Sequence, residues 1–140
     1  MRDIDKIIVH CTATPEGREV SVEEIDSWHK ERGWSQIGYH WVIGLDGSIH
    51  EGRPEHISGA HCKGHNKNSI GLTYVGGCDK DMNGKDTRTE AQKDSLIYLI
   101  GFLCAKFPGS KVYGHRDFSE KYCPSFDATS EYKEIAEKYV

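Results

Sequence analysis

Three consecutive β-branched residues, Ile7, Ile8 and Val9, constrain this chain more than any other segment. Branched side chains favour extended backbone. Successive side chains on a strand point to opposite faces. An unbroken apolar run is therefore a strand buried on both faces, as in a sheet with helices on either side. The remaining pattern supplies those helices. Ser21 and Glu24 form a capping box ahead of Ile25 and Trp28 at helical spacing, and Gly33 ends that helix. Thr89 and Gln92 form a second box ahead of Leu96, Ile97, Leu99, Ile100, Leu103 and Cys104, with Pro108-Gly109 closing the segment. Asp127 or Ser130 caps a last helix running through Glu137. Between them, Tyr39 to Ile43 and Ser48 to Glu51 flank the turn pair Asp46-Gly47 and read as a hairpin. Ser69 to Val75, stopped by Gly76-Gly77, and Lys111 to Gly114 read as further strands. The polar stretch from Asp79 to Arg88 reads as a surface loop. The expectation is an α/β fold: residues 1–140 as a single domain, with a central mixed, mostly parallel β-sheet flanked by about three helices.

Charge and composition exclude several function classes. A net charge of −4 without a basic stripe argues against nucleic-acid binding. No apolar run is long enough to span a membrane. The N-terminal residues do not have the charged, apolar and small-residue order of a signal peptide. The expected location is therefore cytoplasmic. The five cysteines, Cys11, Cys62, Cys78, Cys104 and Cys123, are odd in number and scattered, which is a poor disulfide framework. Eight histidines raise the prior for a metal or acid–base site without locating it.

The chemistry concentrates at predicted strand ends. His10 lies at the end of the first strand, Asp5 to Cys11, and His115 at the end of the Lys111–Gly114 strand, and open α/β sheets place their sites at such ends. Cys123 follows on a loop fixed by Pro124. Two imidazoles and a thiolate make a three-ligand zinc site with a fourth position open to water. His-x7-Cys is not a standard metal spacing, and each residue taken alone reads equally as a hydrogen-bonded or buried side chain. Amide hydrolysis also needs a donor to the developing oxyanion. Tyr39 and Lys121 are the candidates. Their plain alternatives are a core aromatic and a solvated lysine.

Several ordered segments carry a family resemblance. Ile7-Ile8-Val9-His10-Cys11-Thr12-Ala13-Thr14, Ile37-Gly38-Tyr39-His40-Trp41-Val42-Ile43, Gly59-Ala60-His61, Asn68-Ser69-Ile70-Gly71, Gly114-His115-Arg116-Asp117 and Lys121-Tyr122-Cys123-Pro124-Ser125-Phe126-Asp127 resemble the phage-lysozyme type of N-acetylmuramoyl-L-alanine amidase. That family is related to the peptidoglycan recognition proteins. The resemblance runs from about Ile4 to Asp127. It implies Zn2+ as cofactor, with His10, His115 and Cys123 as ligands, and Tyr39 and Lys121 as catalytic residues. It places His61 along the substrate cleft and His40 in the core or behind the site, while Trp28, Trp34 and Trp41 read as packing residues, with a place near the cleft as the alternative for Trp34. The implied reaction is zinc-dependent hydrolysis of the bond between N-acetylmuramic acid and L-alanine. The implied partner is peptidoglycan or a muropeptide, met by a monomer after release to the cell wall by lysis or a dedicated export route. The alternatives are a non-catalytic peptidoglycan-binding module and an amidase acting on soluble muropeptides in wall recycling. Cys11, Cys62 and Cys78 are not required by this chemistry, and Cys11 should face away from His10.

Overall fold

The computed structural model describes residues 2–139. In chain order the elements are β1 (Lys6–Cys11), β2 (Thr14–Pro15), α1 (Val22–Glu31), β3 (Trp41–Ile43), β4 (Ile49–Glu51), β5 (Ser69–Tyr74), β6 (Gly77–Cys78), α2 (Glu90–Lys106), β7 (Lys111–Gly114), a 3-10 turn (His115–Asp117), α3 (Ala128–Glu131) and α4 (Lys133–Glu137). The main sheet has five strands in the order β4-β3-β5-β1-β7. Only the β3–β4 hairpin is antiparallel, and β3–β5, β5–β1 and β1–β7 are parallel. The sheet is thus mixed and mostly parallel, as expected from the order of elements.

The β-branched run lies inside, with Ile7, Ile8 and Val9 fully buried. One sheet face carries Ile7, Val9, Ile70, Leu72 and Tyr74 against Leu96, Leu99, Ile100 and Leu103 of α2. Val42 on the other face packs with Ile25 of α1 and with Ile37 and Val75. Each fully buried Leu or Ile contributes roughly 2 kcal/mol of hydrophobic stabilisation. α2 begins with the full capping box: Thr89 Oγ1 accepts the Gln92 N–H at 3.1 Å, and Gln92 Oε1 accepts the Thr89 N–H at 2.9 Å. At α1 the box is half formed. Ser21 Oγ accepts the Glu24 N–H, but the Glu24 carboxylate pairs with Arg18.

The molecule departs from the sequence-based expectation in two places. Gly76-Gly77 does not simply stop β5. Both glycines have positive φ, which swings Gly77–Cys78 into a second, two-stranded sheet with Thr14–Pro15. The C-terminal helix is two short helices, so the described residues form four α-helices. Asp127 caps α3 by accepting the Ser130 N–H at 3.2 Å. The break falls at Tyr132, which is fully buried and accepts a hydrogen bond from Arg88. Arg88 also pairs with Asp86 and Glu131, tying this end of the chain to the loop before α2.

Strand register positions the site. β1 and β7 pair Val9 with Gly114, so the next residues, His10 near the end of β1 and His115 just past β7, come to lie side by side. On the other flank His10 pairs with Thr73 of β5. Cys11, one residue on, joins the α2-facing core.

Candidate active site

His10 is 1% exposed, and its ring centroid lies 4.5 Å from that of His115. The loop after the 3-10 turn brings Cys123 to the same place. Cys123 Sγ accepts the Cys11 N–H at 3.1 Å, and the Cys123 carbonyl accepts the Arg116 N–H at 2.7 Å. Tyr74 donates its hydroxyl to the Pro124 carbonyl at 2.6 Å, and Ser125 donates to the Gly77 carbonyl at 2.8 Å. One ligand atom from each of His10, His115 and Cys123 lies within 4.8 Å of the others. The structure therefore brings together three donors that are more than a hundred residues apart at the extremes of the chain.

Their electrostatics suit a cation. Burial pulls the His10 imidazole well below its usual range, and His61, His115 and Lys121 add to the effect. Burial and Lys121 lower His115. The thiol of Cys123 is pushed up, first by its hydrogen bond with Cys11 and then by burial. Both imidazoles are thus neutral, each with a lone pair to offer, and no carboxylate belongs to the set. A divalent ion fits this environment and would favour the thiolate.

Tyr39 lies two residues before β3, and its carbonyl accepts the Arg53 N–H at 2.8 Å. Its ring lies 5.0 Å from that of His10. Burial raises its hydroxyl far above the ordinary tyrosine value, which keeps it an O–H donor. Lys121 lies on the loop that delivers Cys123. Both residues line one cavity of about 620 Å³, together with His61, His115 and Cys123.

The cavity wall includes residues that carry no role in the sequence-based expectation. His29, Arg32 and Lys63 lie on it, and so does Trp34, whose first expected role was packing. Arg32, Lys63 and Lys121 contribute three positive charges, and among the described residues no Asp or Glu lines the cavity, although the whole chain carries −4. Exposed lysines and arginines are too common for sequence to single these out. His29 accepts the Gly38 N–H on Nδ1 at 2.8 Å, and burial lowers its pKa to about 4, so it is a neutral imidazole with its proton on Nε2.

His61 lines the cavity, yet its ring turns inward. Nδ1 lies 2.9 Å from His10 Nε2, and Nε2 lies 3.2 Å from Ser69 Oγ. His40 sits behind it. Its Nδ1 accepts the Gly71 N–H at 3.0 Å, and its Nε2 lies 2.8 Å from the Ile57 carbonyl, so it too is neutral and donates from Nε2. Trp28 and Trp41 are packing residues at the edges of the two cores. Among the described residues no helix is long and apolar enough to cross a membrane.

The chain matches relatives across nearly this whole structure. It is 46% identical over 123 residues to the endolysin of Enterobacteria phage T3, a match covering 88% of this chain and 82% of that protein. Its fold is similar to that of the N-acetylmuramoyl-L-alanine amidase LysC from Clostridium intestinale, with a TM-score of 0.81 and 33% identity over 98% of this chain and 85% of the other. It is also similar to a mutant of Drosophila peptidoglycan-recognition protein LB in complex with tracheal cytotoxin, with a TM-score of 0.78 and 26% identity over 94% and 81% of the two chains. The profile of the family described as N-acetylmuramoyl-L-alanine amidase matches residues 1–126, a span that holds every residue of the cavity wall described above. With sequence, fold and site in agreement, the chain belongs to the N-acetylmuramoyl-L-alanine amidase family.

Proposed function

We propose that this chain hydrolyses the amide bond between N-acetylmuramic acid and L-alanine in peptidoglycan, using zinc held by His10, His115 and Cys123. The observation that carries this reading is the convergence of two imidazole nitrogens and one sulfur within 4.8 Å, beside a cavity that His115 and Cys123 line. That donor set suits zinc, whose catalytic sites take three protein ligands and leave one position open. Zinc so bound supplies an activated water and a Lewis acid for the scissile carbonyl.

The chain's own groups do the rest. Tyr39 keeps its proton and donates it as a hydrogen bond to the oxygen that becomes negative in the transition state. Lys121 brings a positive charge to the same oxygen. The energetic benefit is largest in a site with preorganised donors and little water. The cationic wall draws in an acidic muropeptide and holds no carboxylate that would repel it. His61 forms part of the cleft wall.

The test is mass spectrometry of purified sacculi after digestion, with soluble muropeptides as a parallel substrate. The protein should release free stem peptides beginning with alanine. A chelator should stop release, and added zinc should restore it. Cys123→Ala should lose zinc and cleave nothing detectable. Tyr39→Phe should keep zinc and lose about 10²- to 10³-fold in kcat. Full metal content and full activity in the Cys123 variant would overturn the ligand set. Binding without release of stem peptide by the wild type would make the chain a recognition module.

A further inference from the structure

The metal-ligand candidate His10 is backed by an imidazole, not by the carboxylate or main-chain carbonyl that more often supports such a ligand. His10 Nε2 is taken up by His61 Nδ1 at 2.9 Å, which leaves Nδ1 as the nitrogen His10 can offer to the cavity. His61 in turn reaches Ser69 Oγ through Nε2 at 3.2 Å. Ser69 is fully buried, His10 is 1% exposed and His61, which borders the cavity, is 8% exposed, so this line of three groups is largely shielded from solvent.

A neutral imidazole carries one proton, and two arrangements satisfy the line. In the first, His10 Nε2–H donates to His61 Nδ1, and His61 Nε2–H donates to Ser69 Oγ. His10 then presents a bare lone pair to the cavity. In the second, Ser69 donates to His61 Nε2, and His61 Nδ1–H donates to His10 Nε2. His10 then carries its proton on Nδ1, where a cation would have to sit. Only the first arrangement can ligate.

The surroundings hold the His61 ring in place for this role. The His61 and Cys62 N–H groups both donate to Asn66 Oδ1 at 2.9 Å, which fixes the backbone. Gly71 of β5 lets the ring lie against the strand. A Cβ there would come within 2.4 to 2.6 Å of three ring atoms of His61. Among common side chains only an imidazole offers two ring nitrogens that can bridge from Ser69 to His10. An asparagine reaches one of them.

We propose that His61, anchored by Ser69, is a positioning residue that holds His10 in its metal-binding tautomer, rather than a group that contacts substrate. This rests on the zinc reading given above. The test measures zinc affinity by chelator competition and ring protonation by 15N NMR of the histidines. His61→Leu should bind zinc about 10- to 100-fold more weakly. His61→Asn, which keeps an acceptor near Nδ1, should recover most of that loss. Ser69→Ala should fall between the wild type and His61→Leu. In the zinc-loaded wild type, His10 and His61 should both carry their protons on Nε2.

At saturating zinc, His61→Leu should regain kcat with KM unchanged. A raised KM that zinc does not repair would assign the ring to substrate and overturn the proposal. So would a folded His61→Leu that binds zinc within twofold of the wild type, or a His61 proton found on Nδ1 in the loaded protein. If the leucine variant does not fold, the Ser69 variant and the wild-type spectrum decide. A wild type that binds no zinc would bring down the zinc reading itself. A wild type that binds and cleaves, with an indifferent His61→Leu, would bring down only this inference.

Discussion

His10 and His115 are held by a sheet, whereas Cys123 is held by a loop. The two histidines follow paired residues on adjacent parallel strands, so their spacing comes from a backbone ladder that the whole core supports. Cys123 depends on a few contacts: its own bonds to Cys11 and Arg116, Tyr74 on the Pro124 carbonyl, and Ser125 on the Gly77 carbonyl. Perturbing the sheet should therefore damage everything at once. Perturbing the loop should disturb one ligand and leave its neighbours in place. The difference matters because a ligand set is only as ordered as its least constrained member.

The largest effect is expected from Gly71→Ala. The added methyl group collides with the ring of His61, which is buried against β5 and bonded at both nitrogens. Overpacking combined with lost buried hydrogen bonds should cost about 3 kcal/mol or more of stability. Urea unfolding measures this directly. A cost under about 1 kcal/mol would mean that the sheet face beside His10 yields easily, and the contrast with the loop would disappear.

A smaller and more selective effect is expected from Tyr74→Phe. The change removes the hydroxyl bonded to the buried Pro124 carbonyl and leaves the aromatic ring in the core. The stability loss should be about 1 to 2 kcal/mol. In zinc-free protein, alkylation of Cys123 should speed up while amide exchange in β1 and β7 stays as slow as before. Equal loosening of both regions would show that sheet and loop open as one unit.

The same contrast explains what could be read from the sequence. The Ile7-Ile8-Val9 run announces a strand buried on both faces, and His10 inherits its position from that strand. The capping box at Thr89 marks α2 because its two side chains act within one turn. Cys123 has no such local signature. It reaches His10 through contacts more than a hundred residues away in sequence, so only its place among the ordered family segments marked it. The split at Tyr132 and the pairing of Gly77–Cys78 with Thr14–Pro15 also depend on distant partners. Arg32 and Lys63 gave no signal, because what sets them apart is the absence of acids around a cavity that exists only in the folded chain.

The smallest effect, and the one with an unusual sign, belongs to Thr73. Register places it beside His10 on one side and Val42 on the other, so its side chain shares the face that carries the site. Thr73 is fully buried, and its hydroxyl has no hydrogen-bond partner among the described residues. Burying such a group unpaired costs about 1 to 3 kcal/mol. Thr73→Val replaces it with a methyl group of similar shape, so the variant should be more stable by up to about 1 kcal/mol, with zinc affinity unchanged within twofold. A loss of more than about 1 kcal/mol in urea unfolding would mean that the hydroxyl is hydrogen-bonded after all. The polar surface beside His10 would then extend across the sheet as far as β5, and the support of the first ligand would be broader than the line through His61.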